Sequence, residues 1–201
     1  MRIIAGKARG TVLFSLEGEE TRPTLDRVKE NFFNAINFEL AGARVLDLFA
    51  GVGQFGLEAL SRGAREAVFV DSNPECAEII IKNAQKTKLY DRCAVFKCDY
   101  ADYLSKLKKQ SDFEKFDIIF IDPPYKSGKR QIGHCVKKIL KDELISNGGL
   151  IVCETAEGQQ PDLSSEGETA EKIKKSRVYK YGKIYITILT IETAPRGEGD
   201  E

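Results

Sequence analysis

From residue 44 onward, short apolar runs rich in β-branched residues alternate with stretches in which apolar side chains recur every three or four positions. Runs of the first kind, bounded by Gly, Asp or Pro, predict strands over 44–49, 67–71, 94–98, 117–121 and 149–153. The second kind predicts helices between them, and strands alternating with helices imply a mostly parallel sheet covered on both faces. Helix ends have local causes: one helix over 54–62 stops at Gly63, a left-handed cap, and another starts after Asn73 with Pro74 at its first position. Ahead of the sheet, Thr24 caps a helix with Asp26 in its first turn and Leu25, Val28, Phe32, Ile36 and Leu40 on one face. The runs 178–181 and 184–191, joined at Gly182, leave no room for a helix and predict an antiparallel hairpin that brings the sheet to seven strands. Residues 2–14 predict a small β-hairpin turning near Ala8 to Gly10. The expected organisation is a hairpin extension over 1–20, an α/β domain over 21–194 and a disordered tail over 195–201.

With 42% apolar side chains in 201 residues, this domain has material for one sizeable core. No apolar run approaches the roughly 20 residues needed to cross a bilayer, and the chain turns polar directly after Ile4. A cytoplasmic location without membrane contact is expected. Cysteines at 76, 93, 98, 135 and 153 contain no Cys-x-x-Cys pair and read as reduced thiols. His134 alone completes neither a histidine triad nor a multi-histidine site, so no metal is expected. Beside Lys137 and Lys138, His134 is expected to face solvent, with a role as base only if its helix turns inward. Basic and acidic residues balance at 31 each, yet 126–141 and 172–183 are basic runs without an acid, and 2–16 carries Arg2, Lys7 and Arg9 before the first acid. Such faces are either merely solvated or bind a polyanion.

After the first strand stands Asp47-Leu48-Phe49-Ala50-Gly51-Val52-Gly53-Gln54-Phe55-Gly56, a Gly-x-Gly-x-x-Gly between strand and helix. Glycines there let a cofactor approach the backbone, and Asp71, ending the next strand, is placed to accept both hydroxyl protons of a ribose. Together they indicate a nucleoside cofactor in a Rossmann-like fold without specifying which. Asp122-Pro123-Pro124-Tyr125, directly after the fourth strand, narrows the chemistry. A ring-conjugated amine is a poor nucleophile; accepting its two N–H protons on the Asp122 carboxylate and the Pro123 carbonyl directs its lone pair at an electrophile. Tyr125 offers a face for a flipped-out base.

This tetrapeptide with the Asp47–Gly53 loop resembles the class I S-adenosylmethionine-dependent amino-methyltransferases. Arg2-Ile3-Ile4-Ala5-Gly6 with Arg9-Gly10, Arg22-Pro23-Thr24-Leu25-Asp26-Arg27-Val28-Lys29-Glu30, and Gly56-Leu57-Glu58-Ala59-Leu60-Ser61-Arg62-Gly63 are similar to the RsmD family more closely. That resemblance implies a class I methyltransferase fold and methylation of a guanine N2 in 16S rRNA, by in-line attack on the sulfonium methyl with Asp122 or water taking the proton. It implies a cofactor site at Asp47, Gly51 and Gly53 for the methionine part, Asp71 at the ribose, and Asp99 and Tyr100 at the adenine, with Phe49, Ala50 and Ser72 also among the cofactor-binding residues. It implies a catalytic motif of Asp122, Pro123, Pro124 and Tyr125; RNA contacts at Arg2, Lys7, Arg9, Arg22 and Arg27 are expected from their unopposed charge. A monomer acting on an assembling small ribosomal subunit is expected. Val52 and Asp71 depart from the family pattern, which has a small hydroxyl residue and a glutamate there, and weaker cofactor binding follows at most. Asp99 also reads as a plain turn-starting residue. From the residues alone, adenine N6 methylation, a nicotinamide oxidoreductase and a non-catalytic RNA-binding assembly factor remain open.

Overall fold

A computed structural model describes residues 1–16, 23–110, 112–124, 128–158 and 168–193. Helix α1 (Pro23–Ala35) leads into β1 (Arg44–Leu48), α2 (Gln54–Arg62), β2 (Glu66–Asp71), α3 (Pro74–Lys86), β3 (Cys93–Lys97) and α4 (Tyr100–Leu107). Then follow β4 (Phe116–Ile121), α5 (Gly128–Lys141), β5 (Ile145–Ala156), α6 (Glu168–Glu171), β6 (Ile173–Tyr181) and β7 (Ile184–Ile191). The seven strands form one sheet in the order β3-β2-β1-β4-β5-β7-β6. All neighbours are parallel except β7, which is antiparallel to both β5 and β6. Because β1 to β3 step one way and β4 and β5 the other, the order reverses between β1 and β4, where a crevice opens at the strands' carboxyl ends.

Strand alternation divides the apolar residues between two faces. Val45, Phe69, Phe120, Val152 and Ile188 face α1, α2 and α3, where Phe32, Phe33, Phe55 and Phe120 pack with ring centroids 4.5–6.3 Å apart. Leu46, Leu48, Ile119 and Ile121 face Leu104 and Leu107 of α4 and Ile132, Val136 and Ile139 of α5. Both central strands are thus buried on both sides.

The expected helix ends stand: Gly63 closes α2 at φ 119°, and Asn73 accepts the Glu75 N–H ahead of Pro74. Helix α1 begins at Pro23, one residue ahead of the expected cap. Strand β5 is longer than its apolar run because it starts at Ile145 and passes through Gly148 and Gly149 with a register shift against β4. Strand β6 is longer because polar residues from Ile173 join the ladder to β7, whose backbone bonds need no apolar pattern. It forms the sheet edge, and Lys174, Lys175 and Lys180 along it suit an edge that must not recruit another strand. The expected tail lies outside the described residues.

The N-terminal segment is less regular than a hairpin. Its ladder reduces to one bridge, Arg2 to Val12, flanked by the Ile3 N–H on Thr11 O at 3.0 Å and the Gly10 N–H on Ile3 O at 2.8 Å. It is bound to α2 instead. Gly6 (φ 81°) lies so close that an added Cβ would sit 1.9 Å from the Ser61 carbonyl oxygen. Glu58, fully buried, accepts the Ile4 N–H at 2.8 Å and the Ala5 N–H at 3.0 Å. The same carboxylate meets Arg62 Nε at 2.8 Å and Lys29 Nζ at 3.5 Å, and Lys29 Nζ donates to the Arg2 carbonyl at 2.6 Å. Burial pulls the Lys29 ammonium below the usual lysine range, opposed by Glu58 and Asp26. Ile3, Ala8 and Leu13 join the core under α1 and α2.

Glu58→Ala is therefore expected to cost about 3–5 kcal/mol in denaturant unfolding, since it strands a buried ammonium and two backbone amides. A loss below about 1 kcal/mol would contradict this role for the carboxylate.

Candidate active site

The loop leaving β1 needs three left-handed residues: Phe49 at φ 63°, Gly51 at φ 54° and Gly53 at φ 81°. Glycine adopts such values at no steric cost; phenylalanine does not, so surrounding bonds must hold Phe49 there. They do so from β2, from β1 itself and from within the loop. The Ala50 N–H donates to Val70 O at 3.1 Å and the Gly53 N–H to Ala50 O at 2.7 Å. The Gly51 N–H donates to Asp71 Oδ2 at 2.8 Å, while Asp71 Oδ1 accepts the Asn73 N–H at 2.8 Å. The Gly56 N–H donates to Asp47 Oδ2 at 2.9 Å. Gly56 also packs so tightly on Phe69 that a Cβ would lie 2.3 Å from its ring.

Above this loop lies a cavity of about 670 Å³ at the carboxyl ends of β1, β2 and β4. Phe49, Ala50, Gly51, Asp71 and Ser72 line one side, and Asp99 and Tyr100 its end. Asp122, Pro123 and Pro124 line the other. Asp47 and Gly53 are not in the lining; they hold the loop from beneath. Tyr125 and Arg22 lie outside the described residues. Sequence reasoning missed Glu154, at the far end of β5, and Met1, both of which line the same cavity. Glu154 had a faint signal, an acid directly after the buried run Leu150–Cys153. Met1 had none, since only packing of the N-terminal segment brings it there.

Asp47 is fully enclosed, and its Oδ1 has no partner among the described residues. Burial pushes its carboxyl up to about 8, the nearby Asp71 charge adding to that and the Gly56 N–H opposing it. Asp99 caps α4, its Oδ1 accepting the Ala101 N–H at 2.7 Å, so the turn-starting reading holds even though the residue lines the cavity. Tyr100 packs on Phe49 with ring centroids 4.9 Å apart, and its hydroxyl lies 3.2 Å from His134 Nδ1. His134 is exposed, as expected, but its helix turns its ring onto Tyr100.

The cations are more paired than the sequence indicates. Arg2 meets Asp26 at 3.2 Å, whereas Lys7, Arg9 and Arg27 are exposed and form no ion pair among the described residues. Of the 172–183 run, Lys172 lies 3.8 Å from Glu143, Lys174 2.6 Å from Glu192 and Lys180 3.2 Å from Glu157. Lys138 pairs with Asp142 at 2.9 Å. A run without acids in sequence is thus not an unopposed patch in space.

A nucleoside-sized crevice at the sheet's reversal point, with β7 inserted antiparallel between β5 and β6, is the class I methyltransferase arrangement. An O-methyltransferase of Bacillus cereus, solved in complex with SAH, superposes with a TM-score of 0.61 over 87% of this chain and 84% of its own at 15% identity, a likeness of fold. The chain belongs to the RsmD-type methyltransferase family: the family model described as Conserved hypothetical protein 95 matches residues 1–190. The Haemophilus influenzae ribosomal RNA small subunit methyltransferase D is 33% identical over 182 residues, 90% of this chain and 91% of that one. A hypothetical protein of Thermus thermophilus superposes with a TM-score of 0.76 at 28% identity, over 96% of this chain and 99% of its own. The expected fold class and family are borne out.

The Asp47 carboxyl gives the fold a pH dependence. In the fold it stays protonated until about pH 8, whereas in the unfolded chain it ionises near its ordinary value of 3.8. The native state therefore holds the extra proton between those values, and stability falls as pH rises across them. Asp47→Asn, which keeps an oxygen for the Gly56 N–H, is expected to gain thermal stability over the ligand-free parent progressively from pH 5 to pH 8. A difference that stays constant with pH would contradict it.

Proposed function

We propose that this protein transfers a methyl group from S-adenosylmethionine to the exocyclic N2 amine of a guanine in small-subunit (16S) ribosomal RNA. The observation that carries the reading is that Asp122-Pro123-Pro124 opens onto the same cavity as the glycine loop, Asp71 and Asp99. A site for an amine and a site for a nucleoside thus share one space.

The residues fit that cofactor, which presents an ammonium, a sulfonium and two ribose hydroxyls. Asp71 keeps lone pairs for ribose hydroxyls although each of its oxygens already accepts one backbone amide. The Asp47 carboxyl, buried beneath the loop with Oδ1 unpartnered among the described residues, supplies a negative charge under the methionine end once a nearby cation favours its ionisation. Gly51, with nothing within 4 Å of an added Cβ on the protein side, leaves its surface to the ligand. Phe49 and Tyr100 provide a ring pair for the adenine, and Asp99 closes that end. When bound, the cofactor supplies a methyl made electrophilic by its positive sulfur.

The chain's own task is to orient the amine and remove a proton. The Asp122 carboxylate and the Pro123 carbonyl accept the two amine protons and aim the lone pair, so positioning supplies most of the acceleration. Asp122 or water takes the proton. His134 is engaged with Tyr100 at the adenine end, which leaves it no part in that transfer. Tyr125 is assigned the stacking face by its place in the motif. The segment 1–20 is read as an RNA arm on the catalytic unit 21–194: Met1 reaches the cavity, and Lys7 and Arg9 further along the segment are exposed. A monomer acting in the cytoplasm on an assembling small subunit completes the reading. Among the described residues no helix is long and apolar enough to cross a membrane.

Two measurements test it. Asp122→Ala is expected to slow methylation of small-subunit RNA by about 100-fold or more, the scale of one preorganised electrostatic contact, while cofactor affinity stays within a few-fold. Activity within tenfold of the parent would remove Asp122 from the chemistry. Changing Lys7 and Arg9 together to Ala is expected to lower the salt slope of RNA binding by about 0.7–0.9 for each lost phosphate contact, with cofactor affinity as the internal control. An unaltered slope would refute the arm.

A further inference from the structure

Among the described residues four carboxylates line the cavity: Asp71, Asp99, Asp122 and Glu154. Asp71 is committed to the glycine loop and Asp99 to the start of α4. Asp122 belongs to the amine-holding motif. Glu154 belongs to neither group, and its setting is specific. Strands β4 and β5 run parallel with Ile121 opposite Cys153, so Asp122 and Glu154 are the next step along two neighbouring strands, about 4.8 Å apart. Phe120 and Val152, two residues earlier, share the face toward α1, and Ile186, opposite Glu154 on β7, lies on that face too. Glu154 is 9% exposed. A carboxylate has lone pairs for more than one donor, so a base edge entering the cavity can meet Glu154 there.

A motif that grips an exocyclic amine does not by itself tell guanine from adenine. The neighbouring ring nitrogen does: beside the amine, guanine N1 carries a proton and adenine N1 a lone pair. A carboxylate one strand spacing from Asp122, on the same side of the sheet, matches the first and opposes the second. We propose that Glu154 accepts the N1–H of the target base and is the residue that selects guanine, an inference that rests on the amine-methylation reading above. No bond is made or broken by Glu154; it positions the base and excludes the wrong one. A site built to receive a particular donor discriminates against an analogue lacking it because a buried acceptor is then left facing a lone pair.

The test uses the full chain and 16S rRNA, free or in small subunits, with the product nucleoside identified by digestion to nucleosides and its position mapped from oligonucleotide fragments of the wild-type product. RNA is then prepared with either guanine or 2-aminopurine at that position. The analogue keeps the 2-amino group but replaces N1–H with a lone pair. The parent is expected to prefer guanine by about 10- to 100-fold in kcat/KM, the range for a hydrogen bond to a charged group. Glu154→Gln, whose amide presents either a donor or an acceptor, is expected to bring that preference to within about threefold of unity, with cofactor affinity unchanged. Glu154→Asp, which keeps the charge, should be slower yet retain the preference. If Glu154→Gln keeps the parent's preference, whatever its overall rate, the assignment to Glu154 is overturned. If the parent forms no N2-methylguanosine in either RNA preparation, the amine-methylation reading itself fails, which is a separate outcome.

Discussion

Two hydrogen bonds from backbone to carboxylate, Gly51 N–H to Asp71 and Gly56 N–H to Asp47, set the shape on which the site depends. They come from the carboxyl ends of adjacent parallel strands and grip the loop between them. With both in place, the chain tolerates Phe49 at φ 63° and turns from β1 into α2 with Ala50 and Gly51 lining the cavity. The arrangement has a cost. Asp47 is sealed beneath the loop with one oxygen unsatisfied, and burial raises its carboxyl to about 8. Buried polar atoms without partners are uncommon and tend to mark places where function outweighs stability.

A second buried carboxylate ties the N-terminal segment to this machinery. Glu58 lies on the face of α2 turned toward that segment and satisfies two of its amides along with Arg62 and Lys29. Few contacts of regular structure hold the segment; its single bridge would not keep it folded. The charged cluster and Gly6 against Ser61 fix it instead, and they carry Met1 to the cavity. What looks in sequence like an appended hairpin thus shares the core under α1 and α2 and borders the site.

Electrostatic pairing changes the surface in a similar way. Three lysines of the 172–183 run and Lys138 find acids from segments far along the chain or at the end of their own helix. Lys7 and Arg9 of the N-terminal segment and Arg27 of α1 find none among the described residues. The formal charge of zero therefore conceals an uneven distribution.

By itself the sequence determined the alternation of strands and helices, the helix ends at Gly63 and Asn73-Pro74, and the placement of the glycine loop, Asp71 and Asp122-Pro123-Pro124 on one side of the sheet. These follow from short-range physics: side-chain periodicity, φ preferences, and the rule that parallel strands present their carboxyl ends together. Only the tertiary structure decided the rest. The first half of β6, Ile173 to Arg177, has no apolar pattern to betray it, because its ladder is made of backbone bonds to β7. Glu58 and Lys29 read as ordinary helix-surface charges until residues distant in sequence close over them. Glu154 comes beside Asp122 only because β5 pairs with β4 in a register shifted at Phe116 to Ile118. Burial and pairing depend on neighbours dozens of positions away, and no local pattern encodes them.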